Sequence, residues 1–200
     1  MNELGMIIDL SHASDGTSRD VLEYAAKGPV VASHSNCRAI ADHPRNLSDE
    51  MIRKLANAGG VAGLNFYGPF LGNDEESRID QMVAHILHMI RTGGSEFPAI
   101  GTDFDGFDGM TVGGYVPDIS QMEKLWDALK KAGVGERQLD KLWGGNGADF
   151  KLHIERDKGG PLGLRTARLL YIGILFGIIS GSFQLPASSA RGPLAAVRTD

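Results

Sequence analysis

Along the first 145 residues one order of apolar and polar positions recurs: a short continuous apolar run, a polar turn, then a longer stretch with apolar residues three and four apart. The short runs are 7–12, 30–34, 61–66 and 97–103, rich in β-branched residues and bounded by Gly, Pro or polar clusters, which predicts strands buried on both faces of a parallel sheet. The longer stretches predict helices. Asp15 reads as the cap of one that runs to Ala26, with Gly28-Pro29 as its stop. Ser48 reads as the cap of a second, with Asp49 and Glu50 in its first turn, Met51, Ile52, Leu55 and Ala56 as its core stripe, and Gly59-Gly60 ending it. A third is expected over 79–90, a fourth over 119–132 and a short closing helix over 136–143. Residues 68–77 and a glycine-rich stretch from Gly106 to Gly114 read as loops.

Strands alternating with helices imply right-handed crossovers, which bring every strand's C-terminal end to one face. Those ends carry His12, His34, Asn65 and Asp103. The order is that of half a (β/α)8 barrel, in which the active site lies on the C-terminal rim. A histidine after an apolar run is by itself an ordinary strand-end residue, but two on one rim make a metal centre the leading idea, because neutral imidazole is a common metal ligand. The loop Asp42-His43-Pro44-Arg45-Asn46-Leu47 leaves the second of these strands. On position alone Arg45 reads as solvated; fed by a ligand strand, its guanidinium is placed to grip a carboxylate by two hydrogen bonds. His85 and His88 lie three apart beside the core stripe of their helix and read as structural, as do Trp126 and Trp143.

Composition narrows the field. A formal charge of −5 and no basic stripe with interleaved aromatics argue against nucleic acid as a partner. The single Cys37 forbids an internal disulfide and a cysteine-rich zinc ribbon, so a metal has to rest on His and carboxylates; Cys37 itself reads as a small buried residue. Met1-Asn2-Glu3-Leu4 shows no secretory signal, which makes the cytoplasm the expected compartment. Near residue 149 the character changes: residues 1–149 hold 13 Lys+Arg against 22 Asp+Glu, whereas 151–200 hold 7 against 3. Gly159-Gly160-Pro161 reads as a linker, and the 13-residue apolar run 169–181 falls short of the about 20 needed to span a bilayer, so membrane contact there is not expected. The expected units are therefore a barrel-type domain over 1–149 and a tail over 150–200 that carries no recognisable chemistry.

Several motifs in one order carry a resemblance: Gly5-Met6-Ile7-Ile8-Asp9-Leu10-Ser11-His12, Ala32-Ser33-His34-Ser35-Asn36, the loop 42–47, Gly59-Gly60-Val61 with Asn65-Phe66-Tyr67, Gly101-Thr102-Asp103-Phe104-Asp105-Gly106 and Gly144-Gly145-Asn146. Over roughly residues 4–147 the chain resembles the membrane dipeptidase (renal dipeptidase) family of zinc peptidases. The resemblance implies a (β/α)8 barrel in which two zinc ions, bridged by a carboxylate, hydrolyse dipeptides, some with a D-residue in second place. It implies His12 and His34 as ligands of one zinc, Arg45 as the holder of the substrate carboxylate, and Asp103 as the group that steers or deprotonates the attacking water. The family's His-x-Asp pair, its bridging glutamate and a further histidine belong to the first half of its barrel and have no match in these 200 residues. The expectation is a fragment related to zinc dipeptidases, absent or very low activity in the isolated chain, and a partner chain or second copy to complete the barrel. A non-catalytic remnant is the alternative. Another metal hydrolase on the same barrel would use the same strand ends, but the loop 42–46 favours the dipeptidase.

Overall fold

The computed structural model describes residues 6–25, 28, 30–72, 78–106 and 116–146. The tail 150–200, with its apolar run 169–181, and residues 107–115 of the glycine-rich loop lie outside the described residues.

Four strands, β1 (Ile8–Asp9), β2 (Val30–Ala32), β3 (Val61–Leu64) and β4 (Pro98–Ile100), form one parallel sheet in the order β1-β2-β3-β4. Chain order and sheet order coincide, as they do around a (β/α)8 barrel. Helices make each crossover: α1 (Asp15–Asp20), continued by a π-helical turn over Val21–Ala25, then α2 (Asp49–Asn57), then α3 (Gly68–Leu71) followed by α4 (Arg78–Gly93). After β4 come a 3₁₀ turn (Ile119–Gln121), α5 (Glu123–Lys131), α6 (Glu136–Asp140) and a π-helical turn (Lys141–Gly145). Among the described residues no helix is long and apolar enough to cross a membrane.

The strands are shorter than their apolar runs because side chains at the rim take the backbone donors that would extend the ladder. Asp9 accepts from the N–H of Ser11 (2.9 Å) and of Ser33 (3.0 Å), and Asn36 accepts from the N–H of Asn65 (2.8 Å). Helix ends also differ from expectation. The cap of α1 is Ser14, whose hydroxyl accepts from the Thr17 N–H at 3.2 Å, while Asp15 sits in the first turn and binds Arg38 through both carboxylate oxygens at 2.6 and 2.8 Å. Ser48 caps α2 as expected, accepting from Met51 N–H. The segment expected as loop after residue 67 begins with α3, held down by the buried Phe70 and Leu71. The helix expected over 119–132 is divided: Asp118 caps the 3₁₀ turn by accepting from Ser120 N–H at 2.8 Å, and α5 starts afresh after Met122.

The stripe Met82, Ile86 and Met89 of α4 is fully buried in the main core with Leu64, Leu125 and Leu129. Val31 and Val61, flanked by Ile7, form a separate small cluster; Val31 alternates with Val30 and Ala32 along β2 and so faces the other side of the sheet. Trp126 and Trp143 pack edge to face, 5.1 Å between centroids, against the main core, in line with a structural role.

Candidate active site

The rim is built from the residues just past each strand. His12 follows β1 in a left-handed conformation (φ 72°) and Asp103 follows β4 in another (φ 59°), backbone states that cost a non-glycine residue about 1 kcal/mol or more and that cluster at functional sites. His12 Nε2 lies 2.9 Å from His34 Nε2, with the rings edge to face. His34 is tied down on its other side: its Nδ1 is 2.8 Å from Ser33 Oγ, which donates to Asp9 Oδ2 at 2.5 Å, and its N–H donates to Ser11 Oγ at 2.9 Å. Burial, aided by His12 and Arg45 and opposed by Asp103 and Asp9, pushes the His34 imidazole below its ordinary pKa.

Asp103 Oδ2 lies 4.0 Å from His34 Nε2 and accepts from Asn65 Nδ2 at 3.0 Å. Asn65 is in turn set by Asn36, which accepts its N–H and donates to its carbonyl at 2.9 Å and to the Phe70 carbonyl at 3.2 Å. Asn46 donates to the same Phe70 carbonyl at 2.9 Å. Beside Asn46, Arg45 stands with its guanidinium 5.0 Å from the Phe70 ring centroid, and its N–H donates to His43 Nδ1 at 3.1 Å. Arg45 is half-buried, which overturns the solvated reading. Its Nε and Nη2 have no hydrogen-bond partner among the described residues, and burial lowers its pKa despite the field of Asp103. Thus His12, His34, Arg45 and Asp103, named from sequence, converge on one rim.

Two imidazole nitrogens this close fit two positions of a metal's coordination shell. Among the described residues no group of three or more His, Cys, Asp or Glu is arranged to hold a metal. Asp9, Ser33, Asn36 and Asn46 lie within the motifs quoted above, where the sequence assigns them no role of their own; Ser33 and Asn46 adjoin His34 and Arg45, and Asp9 and Asn36 stand three and two positions from a histidine.

His85 and His88 are structural, as expected. His85 is fully buried; its Nδ1 accepts from Cys37 N–H (3.1 Å) and its Nε2–H donates to the Leu71 carbonyl (3.0 Å), joining the loop after β2 to α3. His88 bridges Asp49 and Arg91. Burial pushes the Cys37 thiol up to about 12, so it is an inert core residue. Burial likewise pushes the His85 imidazole down to about 4 from an ordinary value of 6.5. Between those values the unfolded chain binds a proton that the folded chain refuses, so this contribution to stability is complete above pH 6.5 and is lost as pH falls towards 4. His85→Gln can accept and donate without titrating, and urea midpoints over this range are expected to fall less steeply with acid than in wild type. Equal slopes would contradict this account of His85.

Comparisons with known proteins place the chain in a family and a fold. A family model for membrane dipeptidases (peptidase family M19) matches residues 1–148. An uncharacterized dipeptidase of Schizosaccharomyces pombe is 37% identical over 150 residues, covering 73% of this chain and 35% of that protein. A protein encoded in the pqqA 5′ region of Klebsiella pneumoniae is 35% identical over 146 residues, 71% of this chain and 52% of its own length. Among solved structures, a metallopeptidase from Rhodobacter sphaeroides, bound to a phosphinate mimic of the dipeptide L-Ala-D-Ala, superposes with a TM-score of 0.70 at 29% identity over 76% of this chain and 44% of that one. An amidohydrolase from Pseudomonas aeruginosa superposes with a TM-score of 0.67 at 28% identity, covering 77% and 54%. The chain spans about a third to a half of the length of these relatives.

Proposed function

The chain belongs to the membrane dipeptidase family, whose barrel its four parallel strands represent in part, and from that premise we propose that its rim is one half of a zinc dipeptidase centre. The observation that carries the reading is the approach of His12 Nε2 to His34 Nε2 at 2.9 Å, with Asp103 4.0 Å from the latter. His12 and His34 would hold a zinc ion through Nε2. A zinc bound there polarises the scissile carbonyl and lowers the pKa of water. Arg45 receives the C-terminal carboxylate of the substrate on Nε and Nη2, which have no partner among the described residues, and its fixed place on Phe70 limits substrates to two residues. Asp103, held by Asn65, orients the attacking water and takes its proton. The phosphinate mimic of L-Ala-D-Ala bound by the Rhodobacter sphaeroides relative supports dipeptides as the substrate class, with a D-residue allowed in second place.

Two imidazoles are half of the four ligands zinc takes. The isolated chain is therefore expected to hydrolyse dipeptides weakly or not at all, and full activity belongs to an assembly in which a partner chain or second copy supplies the remaining ligands. The second reading, a non-catalytic remnant, draws on the missing third ligand among the described residues.

Zinc content per chain, native mass and hydrolysis of L-Ala-D-Ala by the purified protein test both. Substoichiometric zinc that His12→Ala removes, with hydrolysis at the buffer rate, is the expected result. Two zincs per chain with turnover that Asp103→Asn abolishes would overturn the half-centre in favour of a complete one. No zinc uptake at any concentration would overturn the metal reading and leave the remnant.

A further inference from the structure

We infer that Asp9, acting through Ser33, sets the tautomer of His34: the proton sits on Nδ1 and the Nε2 lone pair faces His12. For the metal site this inference rests on the zinc reading above; for the tautomer it rests on the hydrogen-bond network alone. A serine hydroxyl has one proton to give. Ser33 Oγ has three neighbours, Asp9 Oδ2 at 2.5 Å, His34 Nδ1 at 2.8 Å and Ser11 Oγ at 3.4 Å. The carboxylate is the strongest acceptor and the shortest contact, so it takes the Ser33 proton. Ser33 Oγ is then an acceptor towards His34, and His34 Nδ1 has to carry a proton to meet it.

The consequence reaches the partner ring. A ring that carries its one proton on Nδ1 has a bare Nε2, so the 2.9 Å contact with His12 is a hydrogen bond donated by His12 Nε2–H. The two histidines are therefore unequal before any metal arrives. His34 is half-buried beside a fully buried Ser33, locked on one side by the serine relay and along its backbone by Ser11, and already presents a lone pair. His12 is exposed and must move its proton to Nδ1, through solvent, before it can ligate. Asp9 is a positioning residue: it holds the N–H groups of Ser11 and Ser33 on one carboxylate oxygen and the serine hydroxyl on the other.

Asp9→Asn gives the sharpest test because it is isosteric. The amide oxygen keeps the two backbone N–H bonds, the NH₂ replaces Oδ2 and donates to Ser33 Oγ, and Ser33 turns its own proton towards His34. His34 then holds its proton on Nε2. Long-range ¹H–¹⁵N correlation of the metal-free full chain, labelled at histidine and held near pH 8, reads the protonated nitrogen of each ring. Expected in wild type are Nδ1–H for His34 and Nε2–H for His12; expected in Asp9→Asn is Nε2–H for His34. Ser33→Ala is expected to give a mixture of both tautomers. The Nε2–H signature of His85, which shares no hydrogen bond with the relay residues Asp9, Ser33 and His34, reports that the fold survives in each variant.

Zinc affinity, titrated separately, is expected to fall about 10- to 100-fold in Asp9→Asn. An Nε2–H tautomer in wild-type His34, or an unchanged tautomer in Asp9→Asn with the His85 signature intact, would overturn the inference. Zinc uptake by wild type tests the dipeptidase reading and the tautomer pattern tests this one, so either can fail alone.

Discussion

Gly101→Ala is expected to destabilise the protein by about 3 kcal/mol or more, at the upper end of overpacking, and to drive His34 away from Asp103. A Cβ on Gly101 would fall 1.9 Å from the Ser33 carbonyl oxygen and 3.0 Å from the Cα of Gly63, and a Cβ on Gly63 would fall 2.1 Å from the same oxygen. All of these neighbours are backbone, so no side chain can swing away. The cause is functional geometry. His34 follows β2 and Asp103 follows β4, with β3 between them, and alternate strands in a sheet lie about 9–10 Å apart. The imidazole and the carboxylate nevertheless come within 4.0 Å. They can do so because the chain leaving β2 leans across β3 over two bare backbones. Urea denaturation of Gly101→Ala, compared with Gly28→Ala where a Cβ meets nothing within 4 Å, measures the effect. A wild-type midpoint for Gly101→Ala would refute this account of the rim.

Arg45→Met should separate stability from recognition. Two N–H groups of the half-buried guanidinium lack partners among the described residues, and its stem and ring contact with Phe70 can be kept by an apolar side chain. Unpaired buried donors cost free energy in the empty protein, so the variant is expected to be more stable by about 1 kcal/mol. A carboxylate that fills both donors makes charge-assisted bonds of about 1.5–3 kcal/mol each, so affinity for L-Ala-D-Ala is expected to fall at least about 100-fold. Thermal melting and a calorimetric titration of the dipeptide check the two halves. A less stable variant would show that the cation's hold on Phe70 outweighs its missing partners, and unchanged affinity would remove Arg45 from substrate binding.

The parallel half-barrel, the helix caps at Ser48 and the strand-end positions of His12, His34 and Asp103 were legible in the chain because each follows from local rules. Apolar runs of strand length, stripes three and four apart, and polar residues where a run ends act over fewer than about 15 residues. His85 and His88 were likewise readable as structural from their place beside the stripe of α4. The cap of α1 falls one residue before the Asp15 that the sequence suggests, because Arg38, 23 positions from Asp15, claims that carboxylate and Ser14 takes the capping role. Arg45 shows the same limit: its sequence position suits a solvated loop, and only the packing of α3 beneath it makes it half-buried, with Nε and Nη2 unpartnered among the described residues.

By itself the sequence determined which residues reach the rim: hydrophobic periodicity sets the strands and helices, and right-handed crossovers leave their ends on one side. Only the tertiary structure decided how those residues are held. Asp9 meets Ser33 across 24 positions, Asn36 meets Asn65 across 29, and Asn65 meets Asp103 across 38. Such pairings depend on the register of neighbouring strands and on how closely backbones pass, and the space over Gly63 and Gly101 that admits Ser33 exists only once β2, β3 and β4 lie side by side.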